Sequence, residues 1–258
     1  MEKKKRGSFT GEIGFVLAAA GSAVGLGNLW RFPYLAAQYG GGIFILVYII
    51  LALTFGFTLM TTEIAIGRKT KLSPTRAYKE VDSKFGFIGP IAFIIPVIIL
   101  PYYCVIGGWV TKYVTVFAAG QNIAAAEDSF FGNFIGREYA PLIFFIIFLG
   151  LTSLIVISGV EKGIEKVSSY LMPALIVLAV IICIYVITIP GSSAGIKYYL
   201  LPDFSKFSFK TVCAAMGQMF YSLSIAMGIL ITFGSYMKKD SSIEDSTRNV
   251  EVFDTAIA

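Results

Sequence analysis

Six long apolar segments dominate this sequence and restrict it to one kind of fold. They cover residues 13–36, 41–66, 87–118, 140–160, 167–190 and 212–236, and a seventh segment is expected to begin near residue 250 and to reach residue 258. About 20 apolar residues suffice for a helix to cross the ~30 Å hydrocarbon core of a bilayer. We therefore predict an all-α polytopic membrane protein in which residues 1–258 form one transmembrane domain.

The basic residues indicate how such a protein lies in the membrane. Only six of the 21 Lys and Arg residues fall on the side opposite the N-terminus, namely Arg31, Lys112, Arg137, Lys197, Lys206 and Lys210. Because basic residues collect on the cytoplasmic side, we expect a cytoplasmic N-terminus in the plasma membrane. The net charge of +5 then reflects topology and not a nucleic-acid partner. The absence of His removes the commonest catalytic base, and no nucleophile–base pair stands out, so we predict no enzyme.

The first apolar segment contains residues that a plain membrane helix would avoid. Residues 21–33 read Gly-Ser-Ala-Val-Gly-Leu-Gly-Asn-Leu-Trp-Arg-Phe-Pro. Each Gly costs about 1 kcal/mol of helix stability relative to Ala, and a charged Arg at membrane depth costs at least ~2.5 kcal/mol. We therefore predict that this helix is interrupted and that its bare backbone groups face a ligand.

The sixth segment carries a second set of small and polar residues at mid-length. Residues 217–228 read Gly-Gln-Met-Phe-Tyr-Ser-Leu-Ser-Ile-Ala-Met-Gly. Taken alone, the Ser-x-Ser pattern is equally typical of a small-residue packing face between membrane helices. Two interrupted helices in corresponding positions are the sequence sign of an inverted-repeat transporter.

Several motifs, in order along the chain, resemble those of the neurotransmitter:sodium symporters. The first is the run of residues 18–34, Ala-Ala-Ala-Gly-Ser-Ala-Val-Gly-Leu-Gly-Asn-Leu-Trp-Arg-Phe-Pro-Tyr. The others are Gly40-Gly-Gly42, Glu63-Ile-Ala-Ile-Gly-Arg68, Tyr102-Tyr103, the run from Gly217 to Ser224, and Ser235-Tyr-Met-Lys-Lys-Asp240. The resemblance extends over essentially the whole chain.

This resemblance implies a LeuT-like inverted-repeat fold with helices 1 and 6 unwound at mid-membrane. The chain would supply the first five-helix repeat, helix 6 and the start of helix 7, which is about half of the expected protein. The implied function is sodium-coupled symport of an amino acid, neutral and apolar or aromatic, by alternating access. Two alternatives remain at this point: an ion channel, or a transport-inactive truncated fragment. The oligomeric state is left open.

The resemblance also implies two Na⁺ sites. One would use the Ala23 carbonyl and the side chains of Asn28 and Ser222, with a further ligand from the seventh helix beyond the end of this chain. The second would use the carbonyls of Gly21 and Val24. Na⁺ prefers oxygen ligands, which these groups supply. Asn28 could instead cap a helix end.

The substrate pocket implied by the resemblance includes residues from the first, third and sixth segments. They are Ala23, Leu26, Gly27, Ile99, Tyr103, Tyr221, Ser222, Ser224 and Met227. The amides of residues 25–28 would bind the substrate carboxylate together with Tyr103, and Tyr221 would cover the pocket. Met227 would suit a bulky apolar or aromatic substrate, although packing alone also explains a Met there, and Tyr103 could belong to an interfacial aromatic belt.

The remaining predicted site residues are gates and a possible chloride site. Arg31 would close the outer side with an acid from the tenth helix, and Glu63 would bind the unwound backbone of helices 1 and 6, unless the two simply pair with each other. Arg6 and Tyr236 correspond to inner-gate residues, although Arg6 could equally be one more positive-inside charge. Tyr48, Gln218 and Ser222 match three ligands of the chloride site in some members. Other members replace chloride with an acidic side chain, which we expect beyond residue 258.

Overall fold

The structure, a computed structural model, describes residues 9–258 and is helical almost throughout this range. The gate prediction for Arg6 lies outside the described residues. The first six α-helices are α1 Glu12–Ala23, α2 Phe32–Gln38, α3 Gly42–Leu51, α4 Phe57–Thr70, α5 Pro74–Val81 and α6 Ile88–Ala118. The next five are α7 Asn122–Ala125, α8 Asp128–Ile135, α9 Ala140–Ile157, α10 Lys166–Thr188 and α11 Ser192–Leu200. The last three are α12 Phe209–Ser222, α13 Ile229–Tyr236 and α14 Ile243–Ile257.

Four helical stretches are long and apolar enough to cross a membrane, and one bent pair makes a fifth candidate. The four are Gly42–Thr70, Ser83–Ala118, Ala140–Ile157 and Val160–Thr188. The first and fourth of these stretches contain π-helical turns, at Ala52–Gly56 and Val160–Glu165 respectively. The bent pair is Glu12–Ala23 with Gly27–Gln38, which meet at 45°. The sixth predicted span is divided in two, because α12 ends at Ser222 and α13 begins only at Ile229.

The seventh helix differs from the sequence-based expectation, because it begins at Ile243 and not near residue 250. The side chain of Ser242 accepts a hydrogen bond from the Asp245 amide, which caps the first turn. Glu244 and Asp245 then place negative charge at the positive end of the helix dipole. These polar residues start a helix well, but they lower its hydropathy and so conceal it from a search for apolar segments.

The chain divides into two compact units, which are described separately. The second unit comprises residues 94–159 and contains most of α6 together with α7, α8 and α9. The described part of the first unit comprises residues 9–93 and 160–258. Both helix interruptions belong to the first unit.

The core of the first unit joins the first, second and sixth spans. Phe32 packs edge-on against Phe44 and Tyr48, with ring centroids 5.5 and 4.9 Å apart. Farther along, α4 and α13 cross at glycines on both helices. A Cβ added to Gly67 would lie 2.1 Å from the Ile231 carbonyl oxygen, and one added to Gly234 would lie 2.4 Å from the Ile64 carbonyl oxygen. Only glycine permits this approach of the two backbones.

Candidate functional site

The interruption of the first span is organised by Asn28. After α1 ends at Ala23, Val24 adopts an extended conformation, and a π-helical turn follows at Gly27–Arg31. The Asn28 Oδ1 accepts a hydrogen bond from the Gly25 amide at 3.2 Å, and the Asn28 amide donates to the Gly25 carbonyl at 3.1 Å. Of the four backbone amides, residues 25–28, that we expected to bind a substrate carboxylate, those of Gly25 and Asn28 therefore already donate hydrogen bonds within the interruption. Asn28 therefore holds the interruption through both its side chain and its backbone amide.

The interruption of the sixth span has an unusual backbone. Ser224, Ala226 and Gly228 all have positive φ angles, of 56°, 64° and 70°. Such angles cost about 1–2 kcal/mol at a residue with a side chain, so surrounding contacts must hold them. One of these contacts comes from Glu63 on α4, whose Oε1 accepts a hydrogen bond from the Ala226 amide at 2.8 Å.

We expect Glu63 to stabilise the folded protein by accepting the hydrogen bond from the Ala226 amide. Glu63→Ala leaves the Ala226 amide without its partner and is expected to cost about 1–3 kcal/mol. Glu63→Gln keeps a carbonyl oxygen in the same place and should cost clearly less. Thermal unfolding of the purified full-length protein measures both changes. Equal losses for the two variants would contradict this role.

The two interruptions meet at a buried carboxylate that the sequence analysis did not single out. Asp254 on α14 is completely buried. Its Oδ1 accepts hydrogen bonds from Asn28 Nδ2 at 2.8 Å and from Ser222 Oγ at 2.9 Å. Its Oδ2 accepts one from the Tyr48 hydroxyl at 3.0 Å. Four spans thus contribute to one polar centre, because Asn28, Tyr48, Ser222 and Asp254 come from the first, second, sixth and seventh.

The chemistry of this centre is that of an oxygen-rich cation site. All three donors to Asp254 are neutral, and within the described residues no Lys or Arg forms an ion pair with it. A buried carboxylate without a cationic partner is costly. The Asp254 carboxylate and the Ser222 hydroxyl are oxygen groups of the kind that a small hard cation prefers, whereas Asn28 faces this carboxylate with its amide nitrogen. The sequence analysis expected a ligand from the seventh helix beyond residue 258, and the structure shows that Asp254 already brings a carboxylate of α14 to Asn28 and Ser222.

A second cluster lies beside this centre and involves Arg31. Its Nη1 donates to Gln218 Oε1 at 3.0 Å, and its guanidinium lies 4.7 Å from the centre of the Tyr221 ring. Gln218 Nε2 in turn donates to the Gly27 carbonyl at 3.0 Å. A Cβ added to Gly27 would lie 3.3 Å from the Tyr221 ring, so this glycine lets the two spans approach closely. Arg31 and Glu63 do not pair with each other, since each has the separate partner described above.

The three predicted chloride ligands have different hydrogen-bond partners. Tyr48 and Ser222 both donate to Asp254, whereas Gln218 bonds Arg31 and the Gly27 carbonyl. The place where Tyr48 and Ser222 meet already holds a carboxylate. A second anion at the same point would be repelled by that negative charge if Asp254 is ionised.

Tyr236, which we predicted to be an inner-gate residue, lies at the end of α13 and contacts Phe9, the first described residue. Its carbonyl accepts a hydrogen bond from the amide of Phe9, whose ring is buried against Phe15 and Phe233. Thr10 follows directly and is held by Glu165, which accepts from both its amide and its hydroxyl. This network fixes the start of α1 on the first unit.

The other predicted site residues are placed as follows. Ala23 and Ser224 are buried beside the interruptions, and Leu26 and Met227 are partly buried. A Cβ on Gly21 would lie 3.1 Å from Ser168 Oγ on α10, and the Val24 amide donates to the Ala20 carbonyl at 2.7 Å. Ile99 and Tyr103 belong to the second unit, where Tyr103 packs edge-on against Tyr102. Their place in a pocket with the first unit stays a prediction.

Broken membrane helices around a buried polar centre are typical of secondary transporters. The profile of the sodium:neurotransmitter symporter family matches residues 6–125 and 133–257. The chain belongs to this family, which consists of transporters and not of enzymes.

Individual relatives extend this assignment. The chain is 33% identical to an uncharacterized sodium-dependent transporter, YhdH, of Bacillus subtilis (strain 168), over 97% of this chain and 56% of that protein. It is 35% identical to an uncharacterized sodium-dependent transporter of Methanocaldococcus jannaschii, over 94% and 52% respectively. The crystal structure of MhsT in complex with L-phenylalanine superposes with a TM-score of 0.91 at 36% identity, over 98% of this chain and 59% of that one.

Two statements follow from these comparisons. The predicted all-α membrane fold is confirmed, since the match to MhsT covers nearly the whole chain. The chain spans about half the length of the curated relatives that it matches.

Proposed function

We propose that the protein carries out sodium-coupled symport of an amino acid by alternating access. The observation that carries this proposal is the buried Asp254 carboxylate, on which Asn28 and Ser222 converge from the two interrupted spans. Na⁺ neutralises a buried carboxylate and takes oxygen ligands, which the Asp254 carboxylate and the Ser222 hydroxyl would supply. The Ala23 carbonyl, at the end of α1, is a further oxygen near the same interruption.

The proposed substrate is a neutral amino acid with an apolar or aromatic side chain. MhsT is described with bound L-phenylalanine, and its likeness to this chain supports that class. In this chain, Leu26 and Met227 flank the interruptions and would provide an apolar, adaptable surface. Gly25 leaves open space where its side chain would be, so a ligand can approach the backbone there.

The direction of transport is set by the sodium gradient across the plasma membrane, in which we propose that the N-terminus lies in the cytoplasm. Sodium would enter down its gradient and with the membrane potential, which supplies about 2.3 kcal/mol per charge for every 100 mV. In this orientation the first turn of α1 and the last turn of α13 would face the cytoplasm.

Radiolabelled L-phenylalanine uptake into proteoliposomes by the full-length protein tests the proposal. Uptake is expected with an inward Na⁺ gradient and should fall to background when K⁺ replaces Na⁺. Equal uptake in the two salts would overturn sodium coupling. If the protein takes up alanine and neither phenylalanine nor leucine inhibits that uptake, the proposed substrate class is wrong. Currents far larger than the substrate flux would favour an ion channel.

Chloride should not be required for this uptake. The Asp254 carboxylate occupies the point where Tyr48 and Ser222 would otherwise bind an anion, and it supplies the negative charge itself. Replacing all chloride with gluconate at constant Na⁺ is therefore expected to change the initial rate less than twofold. A complete loss of uptake in gluconate would contradict this expectation.

A further inference from the structure

The second unit contains a cavity that the proposed transport function does not use. Its volume is about 180 Å³, and it lies where the end of α6 meets α8 and the start of α9. Three charged side chains line it, namely Lys112, Glu127 and Arg137, together with the amide of Asn133. Phe130 and Phe134 form its apolar wall.

The charges in this cavity have no counter-charge at bonding distance. Within the described residues, none of the three charged side chains makes a hydrogen bond or an ion pair. The Lys112 ammonium lies over the Phe144 ring, whose centre is 5.5 Å away. Two cations and one anion thus face a common space without neutralising one another, which suits a ligand that carries both signs of charge.

The surroundings of the cavity are those of a membrane interface. α6 ends and α9 begins beside it, and both belong to candidate membrane spans. Aromatic pairs stack edge-on around it, Trp109 with Phe131 at 5.0 Å and Tyr113 with Phe130 at 5.6 Å. Aromatic residues gather at the level of the lipid headgroups, so this cavity lies at headgroup depth.

Below the charged cavity the helix flanks are apolar and exposed. On α9, Leu142 and Ile143 are 52% and 54% exposed, and on α6, Val110, which precedes Lys112, is 46% exposed. None of the most apolar window of α9 is buried within the chain. A ligand that matches both parts has a charged head and long apolar chains, which is the shape of a phospholipid and not of a soluble amino acid.

We propose that this cavity binds the headgroup of a phospholipid, with the phosphodiester between Lys112 and Arg137 and a primary ammonium facing Glu127. Both cations attract the phosphate, and the Asn133 amide can donate a hydrogen bond to it. Glu127 distinguishes this headgroup from one that ends in neutral hydroxyls. The phosphatidylethanolamine headgroup has this combination of groups. The proposal does not depend on sodium coupling or on the transported substrate.

Native mass spectrometry of the full-length protein, taken from mixed vesicles of phosphatidylethanolamine, phosphatidylglycerol and phosphatidylcholine, tests the proposal. The wild-type protein should retain phosphatidylethanolamine in preference to the other two. Each cation near a membrane surface contributes enough to change binding roughly fivefold. The double variant Lys112→Gln/Arg137→Gln is therefore expected to retain at least about fivefold less phosphatidylethanolamine, whereas Glu127→Gln should lose only the preference over phosphatidylglycerol.

Two control variants keep this test decisive. Lys210→Gln removes an exposed basic residue on the other unit and should leave lipid retention unchanged. Lys112→Arg/Arg137→Lys preserves both charges and should retain the lipid even if the neutral double variant folds poorly. Unchanged retention in a folded neutral double variant would overturn the proposal. Displacement of the lipid by soluble glycerophosphoethanolamine at equal concentration would also overturn it, by assigning the site to a soluble phosphate.

Discussion

Asp254→Asn is expected to abolish sodium-driven uptake and to weaken Na⁺ binding by more than about tenfold, or ~1.4 kcal/mol. The substitution preserves size and one acceptor oxygen but removes the buried negative charge that three neutral donors surround. Because electrostatic attraction is strong in a buried site, loss of that charge should affect Na⁺ far more than it affects folding. The Na⁺ dependence of phenylalanine binding to the purified full-length protein measures the effect.

Asp245→Asn is the matched control for this experiment. Asp245 lies on the same helix, but its side chain is half exposed and pairs with the exposed Arg248 at 2.6 Å. Removing such a surface pair changes stability by at most about 1 kcal/mol, and Na⁺ affinity should stay within twofold of wild type. If Asp254→Asn binds Na⁺ as tightly as the wild type does, Asp254 is not a ligand and the proposed sodium site is wrong.

Gly234→Ala should destabilise the protein strongly. Its new Cβ would lie 2.4 Å from the Ile64 carbonyl oxygen and 3.0 Å from the Ile64 Cα, so the backbones of α4 and α13 must separate. Overpacking of this kind costs about 1–3 kcal/mol, and here the obstructing atoms are backbone and cannot rotate away. We expect the Tm of the full-length protein to fall by about 5 °C or more.

Gly217→Ala provides the comparison for Gly234→Ala. Gly217 is a helical glycine on α12, and a Cβ there would meet no atom within 4 Å. Since Ala favours a helix over Gly by about 1 kcal/mol, this variant should melt at or slightly above the wild-type temperature. Similar Tm values for the two variants would show that the α4–α13 contact is less close than described.

The sequence allowed much of the fold and part of the site to be predicted, for identifiable reasons. Membrane helices can be recognised in a sequence because the hydrocarbon core of the bilayer requires long apolar segments. The polar residues Asn28 and Ser222 stand out within such segments. Asp254 was missed for the opposite reason. It lies in a segment whose first turns are polar and charged, so its surroundings resemble a loop, and only the capped helix from Ile243 places it among the other spans.

Contacts between distant segments were the least predictable part. A glycine within an apolar segment, such as Gly67 or Gly234, is typical of a place where another helix backbone approaches closely, but the sequence does not identify which backbone that is. Gln218 was assigned to an anion site by resemblance, whereas its amide joins Arg31 to the Gly27 carbonyl. Such choices depend on which of several polar neighbours lies nearest in space, and a single sequence does not contain that information.

The contacts between α4 and α13 have a mechanical consequence. Their backbones touch at Gly67 and Gly234, and the Glu63 carboxylate of α4 bonds the strained turn just before α13 begins. A tilt of α13 alone would separate these contacts and leave the Ala226 amide without its acceptor. We therefore expect α4 and α13 to move together as one rigid body. A displacement of either helix near the polar centre around Asp254 should then displace both.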